Sequence, residues 1–328
     1  MIGQKSLVEM NTKIMTKILN FASMLAVVSV VTLTSYAQQI DQNFSGITEI
    51  EISTGSSDCI VKKGTGNEVN VKLHHDRGNN FKPTVKQSGS KLSIRENNQG
   101  STNGDATWTL SVPDGLELKF NTGSGDFQAS DLDIELSLNA GSGDYQLENL
   151  TGSIKSNAGS GDLELESFDG ELKANVGSGD LSVSKISGEI HLNAGSGDIE
   201  LMDASAEIHA NVGSGDIEAD NIILAGEGNF NSGSGDVQVT LKESLKHDIS
   251  VNSGSGDAAL DFDGYTIDGV VIMTANKRHG EISAPFPFDK EEEIDHGDQT
   301  TIRKTAKLGS GNVEIKIGTG TGEASISN

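Results

Sequence analysis

Between Leu116 and about Phe286 the chain alternates apolar and polar residues in short runs, and the runs recur with a fixed period. Leu163 and Leu165, Leu181 and Val183, Ile199 and Leu201, and Val237 and Val239 each flank one polar residue. Leu172 and Ala174, Ile190 and Leu192, and Ile208 and Ala210 do the same in a second set of runs. Alternation of this kind marks a strand with one buried face. Each run ends at Gly-Ser-Gly-Asp, a tetrapeptide whose aspartates are Asp126, Asp144, Asp162, Asp180, Asp198, Asp216, Asp236 and Asp257. The first six lie 18 residues apart, and the last two intervals are 20 and 21.

A short fixed period means that each unit is one supersecondary turn, which buries its apolar side only by stacking on its neighbours. The pattern predicts two short strands and two turns per unit. One turn is Gly-Ser-Gly-Asp, and the other carries Gly152, Gly170 or Gly188. Glycine is expected there because it alone enters positive φ at no steric cost. Strands this short pair best with the same strand of the next unit, so the expected fold is all-β, a parallel β-solenoid (β-helix or β-roll) of about 18-residue coils with irregular β caps. An antiparallel meander with two kinds of turn per hairpin is the competing arrangement.

The flanks are less regular. Residues 38–115 read as an N-terminal β cap with irregular coils, with strands expected around Ile47–Ile52, Val69–Leu73 and Leu92–Ile94. A cap is needed because open strand edges invite pairing with other chains. Residues 116–286 are the regular solenoid. They include a degraded ninth unit in which Asn276 and Gly280-Glu281-Ile282 keep the register while Arg278-His279 replaces Gly-Ser. Residues 287–328 hold an acidic insertion, Asp289–Glu293, and a unit at Gly309–Ile315 expected to close the stack.

Composition agrees with a slim core. Of 328 residues 40 are Gly, and only 10 are Phe, 3 Tyr and 1 Trp. Residues 1–37 read as a secretory signal peptide: Lys5, Lys13 and Lys17 precede an apolar run from Ile18 to Leu33, then the small-x-small site Ser35-Tyr36-Ala37. No cysteine stands at that site, which argues against a lipid anchor, and no later stretch is apolar enough to span a bilayer. The expected product is exported: periplasmic, outer-membrane-associated or extracellular. The formal charge is −24, which excludes nucleic acid and anionic membrane as natural partners. Cys59 is the single cysteine, sits where other units have Leu or Ile, and reads as buried and inert.

The candidate chemistry is the aspartate ladder. Stacked coils would bring neighbouring carboxylates to about 5 Å, a repulsion of roughly 0.8 kcal/mol per pair in water. Two offsets are open. Each carboxylate accepts amide hydrogen bonds of its own turn, or the eight aspartates hold Ca²⁺, which takes carboxylate and carbonyl oxygens. Calcium β-rolls place a residue between the last Gly and the Asp and use two motifs per coil, unlike this chain. Asn121, Asn139, Asn157, Asn175, Asn193, Asn211, Asn231 and Asn252 precede each Asp by five residues and are expected to stack as an amide ladder. His191 and His209 stand one period apart; two imidazoles supply half a zinc site and no Cys joins them, so they read as a solvated pair.

Val112-Pro113-Asp114-Gly115 entering a strand, followed by repeated Asn-x-Gly-Ser-Gly-Asp-apolar-x-apolar units, resembles the bacterial putative-adhesin family with β-strand repeats over roughly residues 40–320. The resemblance implies an exported, surface-associated solenoid and brings no catalytic residues. No phosphate loop, Gly-x-Ser-x-Gly elbow or His-Glu-x-x-His occurs. The chain is therefore expected to be non-catalytic, a surface-binding or structural module whose ligand is a glycan or a protein. A calcium-dependent β-roll and a polysaccharide-active β-helix enzyme are the alternatives.

Overall fold

A computed structural model describes residues 38–78, 80–96, 104–295, 297 and 300–328. The expected signal peptide lies outside these residues. Gln38–Asn328 forms one unit of 23 strands, with no helix among the described residues.

The regular coils run Phe127–Ala140, Tyr145–Ala158, Leu163–Val176, Leu181–Ala194, Ile199–Val212 and Ile217–Ser232. Each pairs in parallel with the next, like residue on like: Leu163 lies opposite Leu181, and Leu181 opposite Ile199. The chain is a parallel β-solenoid, and the meander is excluded. Inward positions form apolar columns; in one coil Leu163, Leu165, Phe168, Leu172, Ala174 and Val176 are all buried. Burying a Leu, Ile or Phe side chain contributes about 1.5–3 kcal/mol, and here each such side chain packs on its counterparts above and below.

Each of these coils is one continuous strand rather than two short ones, 14 residues long in the first five and 16 in Ile217–Ser232. The bend sits five residues after the motif aspartate, where Asp131, Asn149, Ser167, Lys185, Asp203 and Asn221 have φ of 52–61°. Pairing steps over this residue, from Glu148–Glu166 directly to Leu150–Phe168, so the corner turns without ending the ladder. Four of the six are Asn or Asp, the non-glycine residues that tolerate this conformation best. A second bend at Gly152, Gly170 and Gly188 has φ of 111–148° and needs glycine as expected.

Both ends are built by intercalation. Glu49–Ser53 lies between Lys91–Glu96 and Leu116–Thr122, and Asp58–Lys63 between Ala106–Val112 and Phe127–Ala140. At the other end Glu314–Thr319 lies between Ile249–Ser253 and Gly269–Asn276. The last coil in sequence is therefore not the last in space. The degraded unit lies beyond it, and Thr300–Leu308 and Lys290–Asp295 add antiparallel strands outside that. Gln38–Ser45 and Glu68–His75 finish the opposite end in the same way. These antiparallel strands cover coil edges that would otherwise template a neighbour.

Candidate functional site

The repeated turn is a column of polar groups joined along the solenoid axis. The Ser amide donates to the first Gly carbonyl of the preceding coil, as in Ser160–Gly141 and Ser178–Gly159, both 3.1 Å. The residue after Asp donates the other way, Leu163 to the Asp180 carbonyl at 3.0 Å. These contacts press successive turns together, which sets the glycine requirement in the motif. A Cβ on Gly123 or Gly141 would stand 2.6 Å from the carbonyl oxygen of Gly55 or Gly123, and one on Gly179 closer still to Gly161. Glycine is kept in the motif by coil-to-coil approach, not by the positive φ expected from the sequence.

All eight motif aspartates fall on this column, in axial order Asp126, Asp144, Asp162, Asp180, Asp198, Asp216, Asp236 and Asp257, with Asp58 before them and Glu323 after. Each Oδ1 accepts the backbone N–H of the next coil's acidic residue: Asp144 N to Asp126 at 3.0 Å, Asp198 N to Asp180 at 2.9 Å, Glu323 N to Asp257 at 2.7 Å. The partner is the neighbouring coil rather than the aspartate's own turn. The reason is geometric, since the Asp N–H points along the axis, where the strand ladder continues. A hydrogen bond to a charged acceptor contributes about 1.5–3 kcal/mol when shielded, enough to offset carboxylate repulsion in a screened solvent. In four turns a hydroxyl four residues before the acidic residue caps the turn, Thr122, Ser232, Ser253 and Thr319 accepting from Gly125, Gly235, Gly256 and Gly322 at 2.7–3.0 Å, whereas the five turns between carry Ala or Val there.

Asp180→Ala removes an acceptor, and Asp180→Asn keeps it while deleting one charge. The Ala variant is expected to lose about 1 kcal/mol. The Asn variant is expected to match or exceed the parent at low salt, with the gap closing in high NaCl. Melts of both across a salt series check this. A midpoint rise in millimolar Ca²⁺ that Asp180→Asn abolishes would assign the ladder to metal instead. Among the described residues no group of three or more His, Cys, Asp or Glu side chains is placed to share one ion.

Asp58 begins the ladder; as a residue it is exposed, and its carboxyl accepts the Asp126 N–H within the column. Burial foremost, with the negative charges of Asp126 and Asp105, holds its carboxyl above the ordinary range. The folded state then binds a proton more tightly than the unfolded chain. Stability from this group is full below the ordinary Asp range and falls as pH rises through the raised folded value. Asp58→Asn is expected to raise the melting midpoint at pH 7 and to leave it unchanged near pH 3, as a pH series of melts would show.

The amide ladder expected from the sequence forms, each Asn Nδ2 donating to the preceding Oδ1 at 3.0–3.2 Å from Asn139 to Asn252. Beside it run two more columns. Glu117, Glu135, Glu171, Glu189 and Glu207 share one; Lys119, Lys155, Lys173, His191 and His209 share the other. Ion pairs join them within coils at Glu117–Lys119 and Glu171–Lys173, and a hydrogen bond joins Glu189 to His191. The opposite strand segment is acidic and presents Glu164, Glu166, Glu200, Glu218 and Asp220. Burial, with the charge of Glu166, raises the Glu164 carboxyl above its usual range.

One polar cluster escaped the sequence reading. Arg77 and Glu96 are both buried at the N-terminal end, 3.7 Å apart. Arg77 donates to the Ser56 carbonyl and hydroxyl at 3.0 Å and to the Gly104 carbonyl at 2.9 Å, and it stands 5.1 Å above the Phe81 ring. Glu96 accepts from Trp108 Nε1 at 2.8 Å and from the Gly55 amide at 3.3 Å. The pair ties the cap to the first coil's turn. Isolated charges in a β-rich stretch give no periodic signal, so only the fold reveals them. Cys59 is fully buried, opposite Trp108 and Phe127, and burial pushes its thiol far up.

A parallel β-solenoid whose turns are zipped by Gly-Ser-Gly-Asp defines the class of this protein. More narrowly, the chain belongs to the Toastrack DUF4097 family, whose profile matches residues 47–269. No curated protein matches it. Among solved structures it is similar to a putative cell adhesion protein from Clostridium sporogenes, at 15% identity over 88% of this chain and 99% of that one, TM-score 0.25. It is also similar to putative adhesins from Bacteroides fragilis (12%, 88% and 96%, TM-score 0.33) and Parabacteroides distasonis (14%, 88% and 95%, TM-score 0.33). No helix among the described residues is long and apolar enough to cross a membrane.

Proposed function

We propose that this chain is an exported, non-catalytic surface module that binds through repetition, each coil presenting the same few polar groups to an extended glycan or protein ligand. The observation that carries the reading is the register. Glu171 and Lys173, Glu189 and His191, and Glu207 and His209 repeat beside an unbroken Asn ladder on consecutive coils, and the strands around them are of equal length. A cleft enzyme needs long loops that differ from coil to coil, and these coils are joined by four-residue turns. Weak contacts repeated along one face add through effective concentration, so useful affinity needs no single strong site. The adhesin descriptions of the similar structures agree with this role. The test is co-sedimentation of the purified chain with intact bacterial cells, run beside cell fractionation of the producing strain. The reading expects an exported chain that sediments with cells. A chain retained in the cytoplasm, or one that depolymerises acidic or neutral polysaccharide, would overturn it.

A further inference from the structure

On the outer face, the Lys/His column carries imidazoles on two consecutive coils. His191 and His209 are register partners, with ring centroids 4.8 Å apart and planes 6° from parallel. Their side chains are 31% and 27% exposed, so solvent reaches both rings. Each ring is also oriented by a carboxylate of its own coil. His191 Nε2 is 2.8 Å from Glu189 Oε1, and His209 Nε2 is 3.3 Å from Glu207 Oε1. With the Nε2 proton directed at a carboxylate, Nδ1 is the nitrogen with an available lone pair. On His209, Nδ1 already faces a donor, Asn229 Nδ2, at 3.3 Å, which agrees with that tautomer.

We propose that His191 and His209 bind one divalent ion of the zinc or copper class through their Nδ1 atoms, with water completing the coordination. Imidazole nitrogen suits these metals and not calcium. A carboxylate on the other ring nitrogen is the arrangement that fixes the tautomer and raises the basicity of a ligating histidine. Two nitrogens bonded to one tetrahedral zinc ion at about 2.0–2.1 Å lie roughly 3.3 Å apart, so the two rings must turn out of their parallel stack until the in-plane Nδ1 lone pairs converge on the ion. Both rings stand on the rigid parallel ladder of the central coils, which holds them side by side before the ion arrives. The ion would displace the Asn229 contact, and the exposed Glu189 and Glu207 carboxylates would follow the rings as they turn. Glu189 and Glu207 are positioning residues here, because they act on the ion through the imidazoles.

The chain has seven histidines, so labelling with ¹⁵N at histidine alone gives a resolved readout. Titration with zinc chloride is expected to shift the imidazole signals of His191 and His209 together, ahead of the other five, and to saturate at one ion per chain. His191→Asn is expected to abolish the response of His209, and His209→Asn that of His191. Glu189→Gln is expected to weaken zinc binding by about tenfold with the melting midpoint unchanged. Seven signals moving in parallel, no early movement of this pair, or a His191 response that survives His209→Asn would overturn the proposal.

Discussion

Replacing Arg77 by Met is expected to lower stability by about 3–5 kcal/mol, the typical cost of breaking a buried ion pair. The magnitude follows from what stays behind. Glu96 is fully buried, and without Arg77 it keeps only the Trp108 and Gly55 N–H groups. Ser56 and Gly104 lose their guanidinium donor at the same time. At roughly 2–4 °C per kcal/mol the midpoint should fall by about 6–20 °C. A stacked array need not melt as one unit, so the loss should concentrate at one end. Hydrogen exchange is expected to accelerate in Glu49–Ser53, Asp58–Lys63 and Ala106–Val112 and to stay slow in Leu181–Ala194. The double variant Arg77→Met, Glu96→Leu should recover much of the loss, because it leaves no uncompensated charge. Equal destabilisation in the single and double variants would mean that Arg77 acts through packing alone.

Gly179→Ala is expected to cost about 3 kcal/mol, at the upper end of overpacking penalties. The added methyl meets the backbone carbonyl of Gly161, and backbone cannot rotate aside as a long side chain can. Ala also stiffens the unfolded chain, a gain of about 0.4–1 kcal/mol that does not reverse the sign. Gly66→Ala is the matched control, since nothing lies within 4 Å of its Cβ position. It should stay within about 0.5 kcal/mol of the parent. Denaturant melts of the two variants decide whether motif glycine answers to coil spacing. If Gly179→Ala were neutral, the close stacking of the turns would be wrong.

Much of the coil could be read from residues alone. The apolar positions around Leu163, Leu165, Leu172 and Ala174 give the strand and its buried face, because period-two alternation is a local property. The Asn ladder followed from identical residues at identical phase. What stayed hidden depends on neighbours distant in sequence. Gly309–Ile315 carries a good repeat unit and so read as the closing coil, yet a motif holds no information about stacking order, and the strand it leads into, Glu314–Thr319, lies inside the stack. The Asp carboxylates read as caps of their own turn because a sequence shows the local donor and not the amide 18 residues on. The corner of positive φ from Asp131 to Asn221 went unread, because the glycine of the second bend marked the turn and Ser167 and Lys185 break any Asn/Asp pattern at that position. Arg77 and Glu96 meet only because the cap folds back on the first coil.

Binding spread over a repeated face is tested most directly by removing coils. Deleting residues 163–180 joins Asp162 to Leu181, and deleting 163–198 joins it to Ile199, so the register is kept in both. Both chains should retain β circular dichroism, since each repeat contacts only its neighbours. Co-sedimentation of the parent and the two shortened chains with intact bacterial cells is the measurement. The account predicts a graded fall in bound fraction, from parent to one coil lost to two. Complete loss at the first deletion would point to a single local site, and binding unchanged across the series would place it outside the repeats; either result contradicts the account.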